Sequence, residues 1–183
     1  MKKVFLSIVL LLVVFGVKAQ EASLINWMTL EEAVAAQTKE PKKIMMDMYT
    51  TWCGPCKMLD KNTFNNKDVA DYVNKNYYAV KFNAEGNSSV TFQDKKFSNP
   101  NYIPNQQGRN NQHELAGYLG VNAYPTIIFL DESSALLFNL RGYQNPNQLE
   151  LYLKLFATDK FKEITTQEQF QKHVEGFVPD FKM

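Results

Sequence analysis

The chain has 183 residues, 45% of them hydrophobic, with 20 basic side chains against 19 acidic ones and two cysteines. That is enough apolar material for one ordinary domain plus a tail, and it excludes a chain disordered throughout. The near-neutral balance gives no electrostatic case for nucleic acid or an anionic membrane as partner, and two cysteines are too few for a disulfide scaffold.

Lys2 and Lys3 open the chain, and a weakly polar to apolar run of 14 residues, Val4 to Val17, follows them. Val17-Lys18-Ala19 then offers small residues at the cleavage positions, Val17 and Ala19. This is the pattern of a secretory signal peptide, with cleavage expected after Ala19. A membrane span needs about 20 apolar residues, more than this run supplies. Loss of residues 1–19 removes Lys2, Lys3 and Lys18 and takes the formal charge from +1 to −2.

Thr29-Leu30-Glu31-Glu32 is a capping box. It starts a helix expected over 30–38, with Leu30, Ala33, Val34 and Ala36 turned inward. Lys43 to Tyr49 is apolar with one acid, Asp47, inside it, and reads as a buried strand. Trp52-Cys53-Gly54-Pro55-Cys56-Lys57 follows, leading into a helix expected to reach Asn62. Cys53 therefore falls at a first helical turn, where free N–H groups and the positive end of the macrodipole favour a thiolate. Pro55 suits that turn, where no backbone donor is missed. A loop as short as the one between these cysteines constrains the unfolded chain very little, so the pair reads as a redox switch. Cys53, nearer the helix start and solvent, is the expected nucleophile. Cys56, one turn deeper, is the expected resolving thiol.

Asn66 begins a second helical piece through Val69, Tyr72 and Val73, and Tyr77 to Asn83 reads as a strand. Residues 85–111 are rich in Asn, Gln and Ser, include Pro100 and Pro104, and show little periodicity. We expect a surface insertion; the alternative is a partner-selecting flap with Tyr102 and Ile103 as its contacts. A short helix after Asn111 stops at Gly120. Pro125 directly precedes the apolar strand Thr126 to Leu130, and a turn leads into a return strand, Leu136 to Arg141, followed by Gly142. Asn147 to Phe156 reads as a closing helix. Thr165 with Glu168 repeats the cap signature, with Phe170 and Val174 on one face. The 25 residues 159–183 are too few to bury a core of their own and are expected to dock on the domain formed by 20–158.

The motif Trp-Cys-Gly-Pro-Cys-Lys after an apolar strand resembles the active site of the thioredoxin family, and Asp47, six residues before Cys53, matches the family's buried acid. The stretch Met58 to Tyr72 is similar to exported thioredoxin-like proteins related to the C-terminal domain of DsbD. The resemblance covers roughly Trp27 to Ala157. It implies an α/β fold: a thioredoxin-like three-layer α/β/α sandwich with a mixed central sheet, and a cis bond before Pro125 in a loop facing the cysteines. It also implies Lys81 near Asp47 beneath Cys56. On the same basis Asp47 would accept the Cys56 proton. Trp52, Pro55, Tyr124 and Pro125 would contact substrate, with Gly54 and Lys81 in support. Tyr124 departs from the family's usual aliphatic residue, and Gly54-Pro55 between the cysteines accompanies its reducing members. The expected protein is a monomeric periplasmic thiol–disulfide oxidoreductase acting as reductant on protein disulfides. It would be recharged by an electron-donor thiol protein, soluble or membrane-bound, with no cofactor, metal or nucleic acid.

A zinc site would have to use Cys53 and Cys56 with His113 and His173, which lack ligand spacing and are expected at the surface. A Cys–His hydrolase leaves the second cysteine unexplained. The alternative from another class is a peptide-binding or chaperone-like module on the same fold, with redox activity secondary.

Overall fold

A computed structural model describes residues 23–182; the expected signal segment, 1–19, lies outside the described residues. The elements are β1 (Trp27–Met28), α1 (Leu30–Gln37), β2 (Lys43–Tyr49), α2 (Gly54–Leu59), α3 (Lys67–Asn76), β3 (Tyr77–Asn83), β4 (Val90–Phe92), β5 (Lys95–Phe97), α4 (Glu114–Tyr118), β6 (Thr126–Leu130), β7 (Leu136–Arg141), α5 (Pro146–Ala157) and α6 (Gln167–Gly176). Five strands form one sheet in the order β1-β3-β2-β6-β7. β2 runs parallel to β3 and antiparallel to β6.

β2 is central and helices cover both sheet faces, which is why its sequence is a nearly continuous apolar run rather than an alternation. The period of two still sorts its side chains. Ile44, Met46 and Met48 join a core with Leu30 and Ala33 of α1 and Leu115 and Ala116 of α4. Met45 joins a second core with Leu59 of α2, Val69 and Val73 of α3, and Leu149 and Leu153 of α5. Two helical layers around a mixed sheet make the α/β/α sandwich.

Several local expectations shift. α1 stops at Gln37, one residue early, and buries Gln37 where Ala36 was expected. The Gln37 amide donates to the carbonyls of Lys42 (2.6 Å) and Asp131 (2.8 Å) and accepts from Ser134 Oγ (2.6 Å), so a polar side chain is fully used inside. α2 ends at Leu59 and passes into a π-turn, Asp60–Phe64, rather than continuing regularly to Asn62. The last helix is capped by Thr166 with Gln169, one residue beyond the expected Thr165 and Glu168.

The insertion has structure of its own. β4 and β5 pair as a hairpin across Gln93 and Asp94, both at positive φ (50° and 59°), as a primed two-residue turn requires. Val90, Phe92 and Phe97 are buried in the first core, and Thr91 N–H donates to Glu31 of α1 at 3.0 Å.

The tail is clasped by Glu150, fully buried on α5. Its carboxylate accepts the backbone N–H groups of Asp180 (2.9 Å) and Phe181 (2.9 Å) and meets Lys154 Nζ at 2.6 Å. Phe181 packs on Tyr72, with ring centroids 5.7 Å apart. Glu150→Ala leaves two N–H groups and a lysine without their acceptor, and should lower the unfolding free energy by about 2–3 kcal/mol. Urea denaturation measures that loss, and limited proteolysis should show cleavage after residue 176 in the variant alone. An undiminished midpoint with a protected tail would show that the clasp contributes nothing.

Candidate active site

Cys53 is the N-cap of α2, with extended backbone (φ −72°, ψ 107°), and Pro55 lies in the first turn. Cys53 Sγ accepts the Cys56 N–H at 3.1 Å. The cap that a serine or aspartate commonly provides is here provided by sulfur, the arrangement that stabilises negative charge on it. The two cysteines are joined by a disulfide, with Cα atoms 5.3 Å apart. In this oxidised form Cys53 is 2% exposed and Cys56 3%. The expected solvent advantage of Cys53 is therefore absent, and what separates the two sulfurs is the cap position. Gly54 and Pro55 lie at the surface, and a Cβ on Gly54 would meet nothing within 4 Å.

The Tyr124–Pro125 bond is cis, as expected. Pro125 is buried, and its carbonyl accepts the N–H of Gly142 at 2.8 Å. Gly142 has φ +83° and open space at its Cβ position, so its requirement is conformational rather than steric. Trp52 and Tyr124, both half-buried, meet edge-to-face at 6.1 Å, which brings the cysteine loop and the proline loop together.

Asp47, on the strand that leads to the cysteines, is 1% exposed and lies directly across from Lys81 in the β2–β3 register. Lys81 Nζ is 3.3 Å from Asp47 Oδ2, while Oδ1 has no hydrogen-bond partner. Desolvation dominates and pushes the Asp47 carboxyl up to about 7; Lys81 opposes this and the negative charge of Asp60 adds to it. The expected pair is in fact a shared cation, because Lys81 also bonds Asp60 in the π-turn. Three rings surround the ammonium, with centroids at 5.0 Å (Trp27), 5.2 Å (Tyr49) and 5.7 Å (Phe64). Asp60 was missed in the sequence. It reads there as one more solvated helix charge, and only the extra residue of a π-turn betrays it.

The insertion reaches this site from its ends. Trp52 Nε1–H donates to Glu85 Oε2 at 2.7 Å, and the Asn110 N–H donates to the same oxygen at 2.8 Å. The Arg109 guanidinium carbon lies 4.6 Å from the Trp52 ring centroid. Gln112 Nε2 donates to the Tyr124 hydroxyl at 3.3 Å. These contacts to Trp52 and Tyr124 come from Glu85, Arg109 and Gln112, not from Tyr102 and Ile103. Ile103 instead exchanges hydrogen bonds with Asn110 inside the loop.

The histidines correct another expectation. His113 is fully buried, caps α4 by accepting the Leu115 N–H at Nδ1 (3.1 Å), and donates from Nε2 to the Ser88 carbonyl at 2.7 Å. His173 is half-buried beside Phe177. Among the described residues, no three His, Cys, Asp or Glu side chains are grouped as a metal site would need.

Comparison with known proteins places this geometry. The chain is 26% identical over 125 residues to the thiol:disulfide interchange protein DsbD of Pectobacterium atrosepticum, a match covering 67% of this chain and 18% of DsbD. The chain thus spans about a fifth of that relative's length. Among solved structures it is similar to a putative disulphide-isomerase from Bacteroides thetaiotaomicron, with 30% identity and a TM-score of 0.51, covering 74% of this chain and 94% of that one. It is also similar to a thioredoxin-fold protein from Helicobacter pylori, with 19% identity and a TM-score of 0.56 over 74% and 81% of the two chains. A model of the thioredoxin-like domain family matches residues 30–157. That match runs from the first residue of α1 to the last of α5, the whole sheet apart from β1, and on it the chain belongs to the thioredoxin-like domain family.

Proposed function

We propose that the protein is a thiol–disulfide oxidoreductase that reduces disulfides of exported proteins. The observation that carries this reading is the Cys53–Cys56 disulfide at the N-terminus of α2, with Trp52 against Tyr124 of the cis-proline loop and a buried acid on the strand that leads to the cysteines. In the reduced form the Cys53 thiolate attacks a substrate disulfide. One substrate thiolate leaves, and a mixed disulfide forms on Cys53. Asp47, ionised, takes the proton of the Cys56 thiol. The Cys56 thiolate then attacks Cys53 Sγ, the second substrate thiolate leaves, and the pair returns to the disulfide. Two electrons have passed to the substrate, and a dithiol donor protein must return them. Trp52, Pro55, Tyr124 and Pro125 form the contact rim, with Gly54 and Lys81 behind it. The reducing direction rests on Gly54-Pro55 between the cysteines. Export rests on residues 1–19, and the tail 159–183 is taken as an extension docked on the domain.

Cys53→Ser should abolish dithiothreitol-driven reduction of insulin, and Cys56→Ser should leave mixed disulfides trapped on Cys53. Adducts that accumulate on Cys56 in the Cys53→Ser protein would reverse the roles. Failure of the unaltered protein to reduce insulin, while it still binds unfolded peptide, would favour a chaperone-like module.

Asp47 yields a prediction with a definite sign. Its pKa is raised from 3.8 to about 7, so the unfolded chain loses the proton first. Stability associated with Asp47 is complete below the unfolded value and is lost as pH rises through the folded one. Asp47→Asn should therefore stabilise the fold by on the order of 2–3 kcal/mol above neutrality and change little near pH ~4. It should also slow resolution of the mixed disulfide about tenfold or more near pH ~7, with less effect on its formation. Denaturation midpoints across pH and stopped-flow exchange test both effects. Unchanged resolution in a destabilised variant would reduce Asp47 to a structural partner of Lys81.

A further inference from the structure

The insertion is fastened where the cysteine loop begins. Tyr49, the last residue of β2, accepts the Ala84 N–H at 2.8 Å, and the Ala84 carbonyl accepts the His113 N–H at 2.8 Å. Both ends of the insertion are thereby fixed beside the segment that leads to Cys53. Glu85 then makes the link to the site. Its Oε2 takes the indole N–H of Trp52 and the backbone N–H of Asn110 together. The second bond fixes the backbone next to Arg109, whose guanidinium lies against the Trp52 ring at 4.6 Å. Arg109 is exposed and makes no ion pair among the described residues, while Glu85 is half-buried with its bonding oxygen occupied.

We propose that Arg109, held against Trp52 by the Glu85 clamp, determines specificity by selecting substrate segments with an acidic side chain beside the disulfide. A guanidinium that rests on an aromatic face keeps its N–H fork directed outward along its own plane, where a carboxylate can take two bonds. The contact with the Trp52 ring, on a backbone fixed next door by Glu85, removes part of the rotamer entropy that a free surface arginine would lose on binding. Trp52 is adjacent to Cys53, so an acid that reaches Arg109 lies a few residues from the reacting sulfur. Glu85 is a positioning residue in this arrangement and touches no substrate. The proposal rests on the oxidoreductase reading above and adds the class of substrate.

The test uses the full chain and two disulfide-linked peptides that are identical except for an Asp or a Lys beside the half-cystine. The readout is the ratio of their kcat/KM values within each preparation, so a partly misfolded variant does not imitate the effect. The unaltered protein should favour the acidic peptide about two- to fivefold, the range of one solvent-exposed ion pair. Arg109→Gln should bring the ratio to about one, and Arg109→Glu should invert it. Salt at about 1 M, where the Debye length is about 3 Å, should erase the preference. Equal rates for both peptides in the unaltered protein, or an acidic preference that survives Arg109→Glu, would overturn the proposal and leave the oxidoreductase reading standing. Reduction of neither peptide would overturn both.

Discussion

β2 is hydrogen-bonded on both sides, and the registers that this imposes assemble the site. Parallel pairing with β3 sets Asp47 opposite Lys81. Antiparallel pairing with β6 sets Met48 opposite Thr126, so the residue before it, Pro125, falls at the end of the sheet where β2 runs out toward Cys53. The β6–β7 register sets Thr126 opposite Arg141, and Gly142 then reaches back to the Pro125 carbonyl. A one-residue slip in any of these ladders would turn every side chain to the other face. Both faces of β2 are apolar, so the fit of individual side chains in the two cores, rather than polarity, holds the register that aligns the acid, the lysine and the proline loop.

Asp47 works against the strand that carries it. Period two places it on the same face as Met45, among apolar neighbours, with one carboxylate oxygen lacking any partner. An unsatisfied buried polar atom destabilises a fold. Lys81 offsets part of this, but Asp60 draws on the same ammonium from the solvent side, and the three rings hold it between the two acids. A cation shared in this way leaves Asp47 less stabilised as a carboxylate than an exclusive ion pair would. That is the condition under which burial can keep its pKa near neutrality.

Local signals made the frame of the fold legible in the sequence. The capping box at Thr29 and the Asn66 cap act over three residues, and the strand-to-helix passage at Cys53 is written in consecutive positions. The failures have physical reasons too. Gln93-Asp94 adopts a turn usually marked by Asn-Gly, so the β4–β5 hairpin left no recognisable signature. His113 looked like a surface residue because histidine seldom caps a helix, and its two partners are a neighbouring N–H and a carbonyl 25 residues away. Glu85 joins Trp52 across 33 residues and Asn110 across 25, and no local pattern encodes such a contact.

The tail and the 85–111 stretch differ in what they are attached to, and this separates their consequences. Phe161, Ile164, Phe170 and Phe181 of the tail pack against the core that holds α3 and α5, and Glu150 anchors the chain end there. These contacts add buried apolar area and close a long segment onto a helix, which is a contribution to stability. Val90, Phe92 and Phe97 do the same for the opposite core. The insertion differs in that its remaining stretch, up to Asn111, is exposed and polar yet keeps directed hydrogen bonds to Trp52 through Glu85. Exposed loops without apolar anchorage sit at the low-stability end of a fold unless something ties them down. Here the tie is made to Trp52, the residue beside Cys53, so displacement of the loop and displacement of Trp52 are one event. Whatever displaces Arg109 and its loop therefore also displaces Trp52 beside Cys53.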